Sequence, residues 1–132
     1  TLYVENNVIS KSNLETFDLS NPFLLTDYQS WLEFSNEVDC QLLLDFAHLK
    51  VSSGSLSLSF SEEANKLVCL TNYYHISGND GLNDQNHSIV ADNDILDLLD
   101  CYDWSDKTFT IEVYSGMKEI HESYELLKNK IS

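Results

Sequence analysis

Four short runs of β-type residues, at positions 2–5, 41–45, 68–75 and 109–113, recur along the chain with segments between them long enough for a crossover helix. Parallel strands need a connection of a dozen or more residues, so this alternation predicts βα units and a parallel sheet. Before the second run, Thr26-Asp-Tyr-Gln29 has capping-box form and opens a stretch that puts Tyr28, Trp31, Leu32 and Val38 on one face, predicting a helix over 27–37. After that run, the Ser-rich stretch 52–61 reads as a loop and 62–67 as a short helix. Asp92 or Asn93 can cap a helix over 94–100, whose apolar face is Ile95, Leu96, Leu98 and Leu99. In the last segment Met117, Ile120, Tyr124, Leu127 and Ile131 fall at three- and four-residue steps, the mark of an amphipathic helix. Pro22 and all four glycines fall in connections on this reading, and residues 1–132 read as a single domain.

Composition narrows the partners. Of 132 residues, 42% are hydrophobic, enough for a real core, and 22 acidic residues against 7 basic ones give a net charge of −15. Such a field repels phosphate backbones and anionic membranes. All seven cations are lysines, so the planar fork that best grips phosphate is missing; Lys50, Lys11 and backbone N–H groups are what remains to hold one. No apolar run approaches the roughly 20 residues of a membrane span. Nucleic acid and membrane are therefore excluded as expected partners. Cys40, Cys69 and Cys101 lie in apolar surroundings without a CxxC pair, which reads as reduced, buried thiols and a cytoplasmic protein. The first residues, Thr1-Leu-Tyr-Val, lie within an apolar run, which reads as a fragment boundary.

Strand parity then locates the chemistry. With Phe109, Ile111 and Val113 facing the helices, Thr110, Glu112 and Tyr114 face the other side of the sheet. In the same way Leu42 and Leu44 leave Asp45 facing inward, Leu2 and Val4 leave Glu5 inward, and the third run ends in His75. Parallel strands bring their C-terminal ends to one rim, so Glu5, Asp45, His75 and Glu112 converge. Three carboxylates crowded together repel and take up protons, whereas a divalent cation removes the repulsion and uses His75 as a nitrogen ligand. The donor set is mostly hard oxygen and suits Mn, Mg, Co, Fe or Zn. The stretch 79–87 reads as a polar turn built on Asp80-Gly81, and His121 as a surface residue of the last helix.

The stretches Tyr-Val-Glu5-Asn, Leu-Leu-Leu-Asp45-Phe-Ala-His48, His75-Ile-Ser-Gly-Asn-Asp-Gly with Asp84-Gln-Asn-His87, and Phe-Thr-Ile-Glu112-Val, in this order, resemble the xylose isomerase-like TIM barrel superfamily of sugar isomerases, epimerases and endonuclease IV. The resemblance covers nearly the whole chain but only the C-terminal half of such a barrel. It implies an α/β fold of four βα units of a (β/α)8 barrel, with Glu5, Asp45, His75 and Glu112 as the shared ligands of one divalent metal ion. It further implies that Glu5 and Glu112 are catalytic and that His48 lies beside the substrate. Asp84 and His87 are implied as a possible second metal pair, although two residues separate them where related sequences carry Asp-x-His. The implied activity is metal-dependent isomerisation or epimerisation of a sugar or related polyol by proton transfer α to a carbonyl. The barrel would be completed by a missing N-terminal half or a second copy. The alternatives are a non-catalytic half-barrel interaction module, an endonuclease IV-like phosphodiesterase, which the acidic charge disfavours, and a multinuclear iron oxidase using His48, Asp84 and His87.

Overall fold

Four parallel strands form one sheet in chain order: β1 (Tyr3–Glu5), β2 (Gln41–Asp45), β3 (Tyr73–Ile76) and β4 (Thr108–Ile111). The computed structural model describes residues 1–132. Six helices connect and follow the strands: α1 (Lys11–Thr16), α2 (Tyr28–Glu37), α3 (Phe46–Ser55), α4 (Phe60–Val68), α5 (Asn93–Asp100) and α6 (Met117–Ile131), with a 3-10 turn at Ile89–Ala91. Leu42, Leu44, Tyr74 and Ile76 point to the helix side and are fully buried with Phe46, Leu49, Leu67, Ile95, Leu99 and Trp104. The alternate residues Tyr3, Leu43, Tyr73 and His75 are only half-buried and form the inner face. Tyr74 sits at the centre of the packed side, its ring stacked on Phe46 at 5.3 Å and edge-on to Trp104 at 5.3 Å. Such pairs add to plain area burial.

Several elements differ from the sequence expectation, each for a local reason. Residues 46–55, partly read as loop, form α3, which starts without a connection because Asp45 is both the last residue of β2 and the helix N-cap, accepting the His48 N–H at 2.8 Å. The helix is buried round most of its girth, so it shows no apolar stripe, and its serines look like loop residues. Ser52 instead lies at 0% exposure with its hydroxyl accepting the Ile9 N–H at 3.0 Å. Gly54 lies in this helix, not in a connection, where a β-carbon would come within 3.2 Å of the Gly81 carbonyl. Helix α1 carries no buried residue and was invisible to periodicity; a Ser10–Asn13 capping box starts it. The cap of α2 is Asp27 with Ser30, one residue later than the Thr26–Gln29 pairing. Helix α4 runs from Phe60 through Val68, so β3 begins only at Tyr73.

At the chain's ends, β4 stops at Ile111, although the Glu112 N–H still donates to the Ile76 carbonyl at 3.0 Å. Leu2, expected to pack outward, is 65% exposed because the short strand β1 begins after it, and Met117 is exposed at the start of α6. The expectation of buried thiols fails as well. Cys69 and Cys101 are exposed where α4 and α5 end, and Cys40 is half-buried; all three are free. Asp92 caps α5 as one of the two expected residues. No helix is long and apolar enough to cross a membrane.

Candidate metal centre

Glu5, Asp45, His75 and Glu112 meet at the C-terminal ends of the four strands, each offering a ligand atom within 4.8 Å of the others. Register sets a staggered rim: Asp45 is level with His75, and Glu5 is level with Leu43, one inward step before Asp45. Glu112 follows one inward step after Thr110, the partner of His75, so the four side chains reach one another along the strand ends. His75 Nδ1 lies 3.0 Å from Glu5 Oε1 and 3.1 Å from Glu112 Oε1. One ring nitrogen carries at most one proton, so the two carboxylate oxygens compete for a single N–H, and without that proton both face the nitrogen's lone pair. A cation between them satisfies all three.

Asp45 makes the same point from the protein's interior. It is 0% exposed; Oδ1 caps α3, while Oδ2 has no hydrogen-bond partner. A buried carboxylate oxygen left unpartnered is costly, and a coordinated cation is a usual resolution. Burial pushes the Asp45 carboxyl up to about 6, against the lowering by His48, and the charges of Glu5 and Glu112 add to the rise. The donor set, three carboxylates and an imidazole with one oxygen orphaned, therefore fits a hard or borderline divalent ion.

His48 stands on the first turn of α3, three residues past Asp45. Its Nδ1 is 2.9 Å from the Asn6 carbonyl, an acceptor only, so Nδ1 carries the proton and Nε2 faces Asp84 Oδ1 at 3.7 Å. Burial alone lowers the His48 pKa, but Asp45, the Asn6 carbonyl, Glu5 and Asp84 together outweigh it and hold it above its ordinary value. Asp84 thus lies beside His48 but outside the four-residue cluster. His87 turns away, its Nδ1 3.2 Å from the Ser115 hydroxyl, and its backbone pairs with Gly78 to close the loop that carries Asp84. Within that loop Asp80 accepts the N–H groups of Leu82 and Asn83, the turn expected at Asp80-Gly81.

Two features were not visible in the sequence. Asn6 is buried, and its side-chain amide accepts the Asp45 N–H at 2.6 Å and donates to the Asp45 carbonyl at 3.1 Å. Its position directly after Glu5 was the only signal. Lys50, one of the few cations open to a phosphate, is taken up by Asp92 at 2.8 Å, Asp94 at 3.1 Å and the Asn79 carbonyl at 3.0 Å. It is a tie between α3 and the loop after β3.

No family model matches the chain, and no curated protein matches it. A solved crystal structure of a D-tagatose 3-epimerase-like protein is similar in fold, with a TM-score of 0.66 at 20% sequence identity over 96% of this chain and 45% of that one. The chain thus spans less than half the length of that protein. The likeness shows the fold: an α/β arrangement of four βα units from a (β/α)8 barrel.

Proposed function

We propose that the chain carries the divalent-metal centre of a sugar isomerase or epimerase of the xylose isomerase-like kind, held by Glu5, Asp45, His75 and Glu112. The observation that carries this reading is the orphaned, fully buried Asp45 Oδ2 within a set whose other members crowd one imidazole nitrogen. The resemblance of the site stretches and the fold of the D-tagatose 3-epimerase-like protein support the substrate class, a small sugar or polyol. When bound, the metal ion supplies Lewis acidity to neighbouring carbonyl and hydroxyl oxygens.

The chain's own residues supply the proton transfers. Glu5, from β1, and Glu112, from just past β4, both reach His75 Nδ1, so two carboxylates stand at the cluster to serve as base and acid toward a substrate carbon bound there. One removes the proton α to the carbonyl and the other returns a proton, to the neighbouring carbon for isomerisation or to the opposite face of the same carbon for epimerisation. His48 presents Nε2 toward Asp84 and is placed to bind a substrate hydroxyl. The acidic surface and the engagement of Lys50 favour a neutral sugar over a phosphorylated one. Three free cysteines, two of them exposed, suit a reducing cytoplasm.

The test is solvent exchange. The Mn²⁺-loaded chain, incubated in D2O with a panel of free ketohexoses, is expected to place deuterium on a carbon beside the carbonyl, and Glu5→Gln or Glu112→Gln to abolish this. Metal binding without exchange in any sugar would contradict the catalytic reading and favour the half-barrel as an interaction module.

A further inference from the structure

Where β1 ends, the main chain turns away from β2, and the Asn6 side chain takes over the pairing. The Asn6 N–H still donates to the Leu43 carbonyl at 3.2 Å, the last rung of the ladder. One residue pair further on, its Oδ1 accepts the Asp45 N–H at 2.6 Å and its Nδ2 donates to the Asp45 carbonyl at 3.1 Å, so a side-chain amide supplies both partners a continuing strand would have offered. The backbone thereby freed is used elsewhere: the Asn6 carbonyl accepts from His48 Nδ1 at 2.9 Å. All four groups of one residue are committed, two to the backbone of a cluster carboxylate and one to the neighbouring imidazole.

We propose that Asn6 is a positioning residue that fixes both Asp45 and His48: its side-chain amide takes the place of its own main chain in the pairing with Asp45, which leaves its main-chain carbonyl free to hold the imidazole beside the metal centre. This rests on the metal reading above for Asp45 but not for His48. With its backbone clamped, Asp45 keeps Oδ1 on the α3 N-terminus and is left with Oδ2 as its only oxygen without a hydrogen bond, in a residue that offers a ligand atom to the cluster. With Nδ1 held protonated by the Asn6 carbonyl, His48 has Nε2 as its free atom on the side of Asp84. Asn suits the position because it holds an acceptor and a donor at fixed separation; Asp offers no donor and Ser cannot span both groups. Partners of this kind outside the ligand set commonly govern metal affinity by 10- to 100-fold.

The experiment compares Asn6→Ala, the milder Asn6→Ser and Thr71→Val in the full chain. Thr71 is the control because its buried hydroxyl also bonds a β2 carbonyl, that of Leu42, at the far end of the strand. The readouts are Mn²⁺ affinity and the ¹⁵N chemical shifts of the His48 ring in metal-free protein. Both Asn6 variants are expected to weaken Mn²⁺ by roughly 10- to 100-fold and to move His48 from a single Nδ1–H tautomer toward a mixture, whereas Thr71→Val lowers Tm and moves neither. If the Asn6 variants lose Tm as Thr71→Val does but keep both the affinity and the tautomer, the proposal is overturned. If the unaltered chain fails to bind Mn²⁺, the metal reading falls with the Asp45 half of the proposal. The His48 shifts then still decide the other half, a retained single tautomer overturning it.

Discussion

The two faces of the sheet are cut from the same four strands and obey opposite rules. On the helix side Leu42, Leu44, Tyr74 and Ile76 are fully buried among aromatic rings, and the polar atoms carried in with those rings are bonded to backbone: the Tyr74 hydroxyl lies 2.8 Å from the carbonyls of both Val68 and Thr71, and Trp104 Nε1 donates to the Leu99 carbonyl at 2.8 Å. On the inner side the strands present hydroxyls, an imidazole and carboxylates held by bonds to each other: Tyr73 to Thr110 at 3.0 Å, Tyr3 to Asn72 at 3.0 Å, and above them the cluster of Glu5, Asp45, His75 and Glu112. The difference separates stability from chemistry. Burial of apolar area holds the strands in place, and alternate residues of those strands are then free to be chosen for reactivity.

That separation gives the largest expected effect to the helix side. Leu44→Ala removes a fully buried side chain from the core and is expected to cost about 2–5 kcal/mol of unfolding free energy, read by urea denaturation. The Mn²⁺ affinity of the folded fraction should stay within a factor of a few. A large affinity loss with little change in stability would break the comparison, because the faces would then not be independent.

A smaller effect sharpens it through pH. Burial raises the Tyr74 phenol above its ordinary value, so the neutral form is favoured in the fold. The stability this represents is fully present below about pH 10 and is lost as pH rises beyond that. Lys50, raised by its bonds to Asp92 and Asp94 against the lowering effect of burial, acts in the same direction. Melting temperatures followed from pH 8 to 11 should therefore fall at the alkaline end, and less steeply in Tyr74→Phe. An identical fall in both would remove Tyr74 from the account. The smallest effect lies outside both faces: Lys118, 87% exposed and 3.7 Å from Glu122 on α6, should change stability by less than about 0.5 kcal/mol when replaced by Ala.

Much of the inner face was legible because a carboxylate or imidazole at the end of an apolar run is conspicuous, and period-two alternation then says which way it points. That reasoning reaches Glu5, Asp45, His75 and Glu112 as one cluster without any knowledge of contacts. It fails where a signal depends on tertiary context. Helix α3 is enclosed on nearly all sides and its serines bond to remote backbone, so Ser52 reads as loop until its bond to Ile9 is seen. Asn6 looks like an ordinary polar residue leaving a strand, because nothing local shows that its amide completes the pairing of another strand. Cys69 and Cys101 follow apolar stretches but stand at helix ends, where an apolar context along the chain does not mean burial.

The central claim is that four inward residues of adjacent strands form one divalent-metal site. Titration of Mn²⁺ into the dialysed chain, followed by the electron paramagnetic resonance of free Mn²⁺, tests it most directly, with Asp45→Asn as the comparison. Asn at this position still caps α3 and so leaves the helix start intact. The account predicts about one bound ion per chain and loss of tight binding in the variant. Absence of binding to the unaltered chain, or binding that Asp45→Asn leaves unchanged, would contradict it.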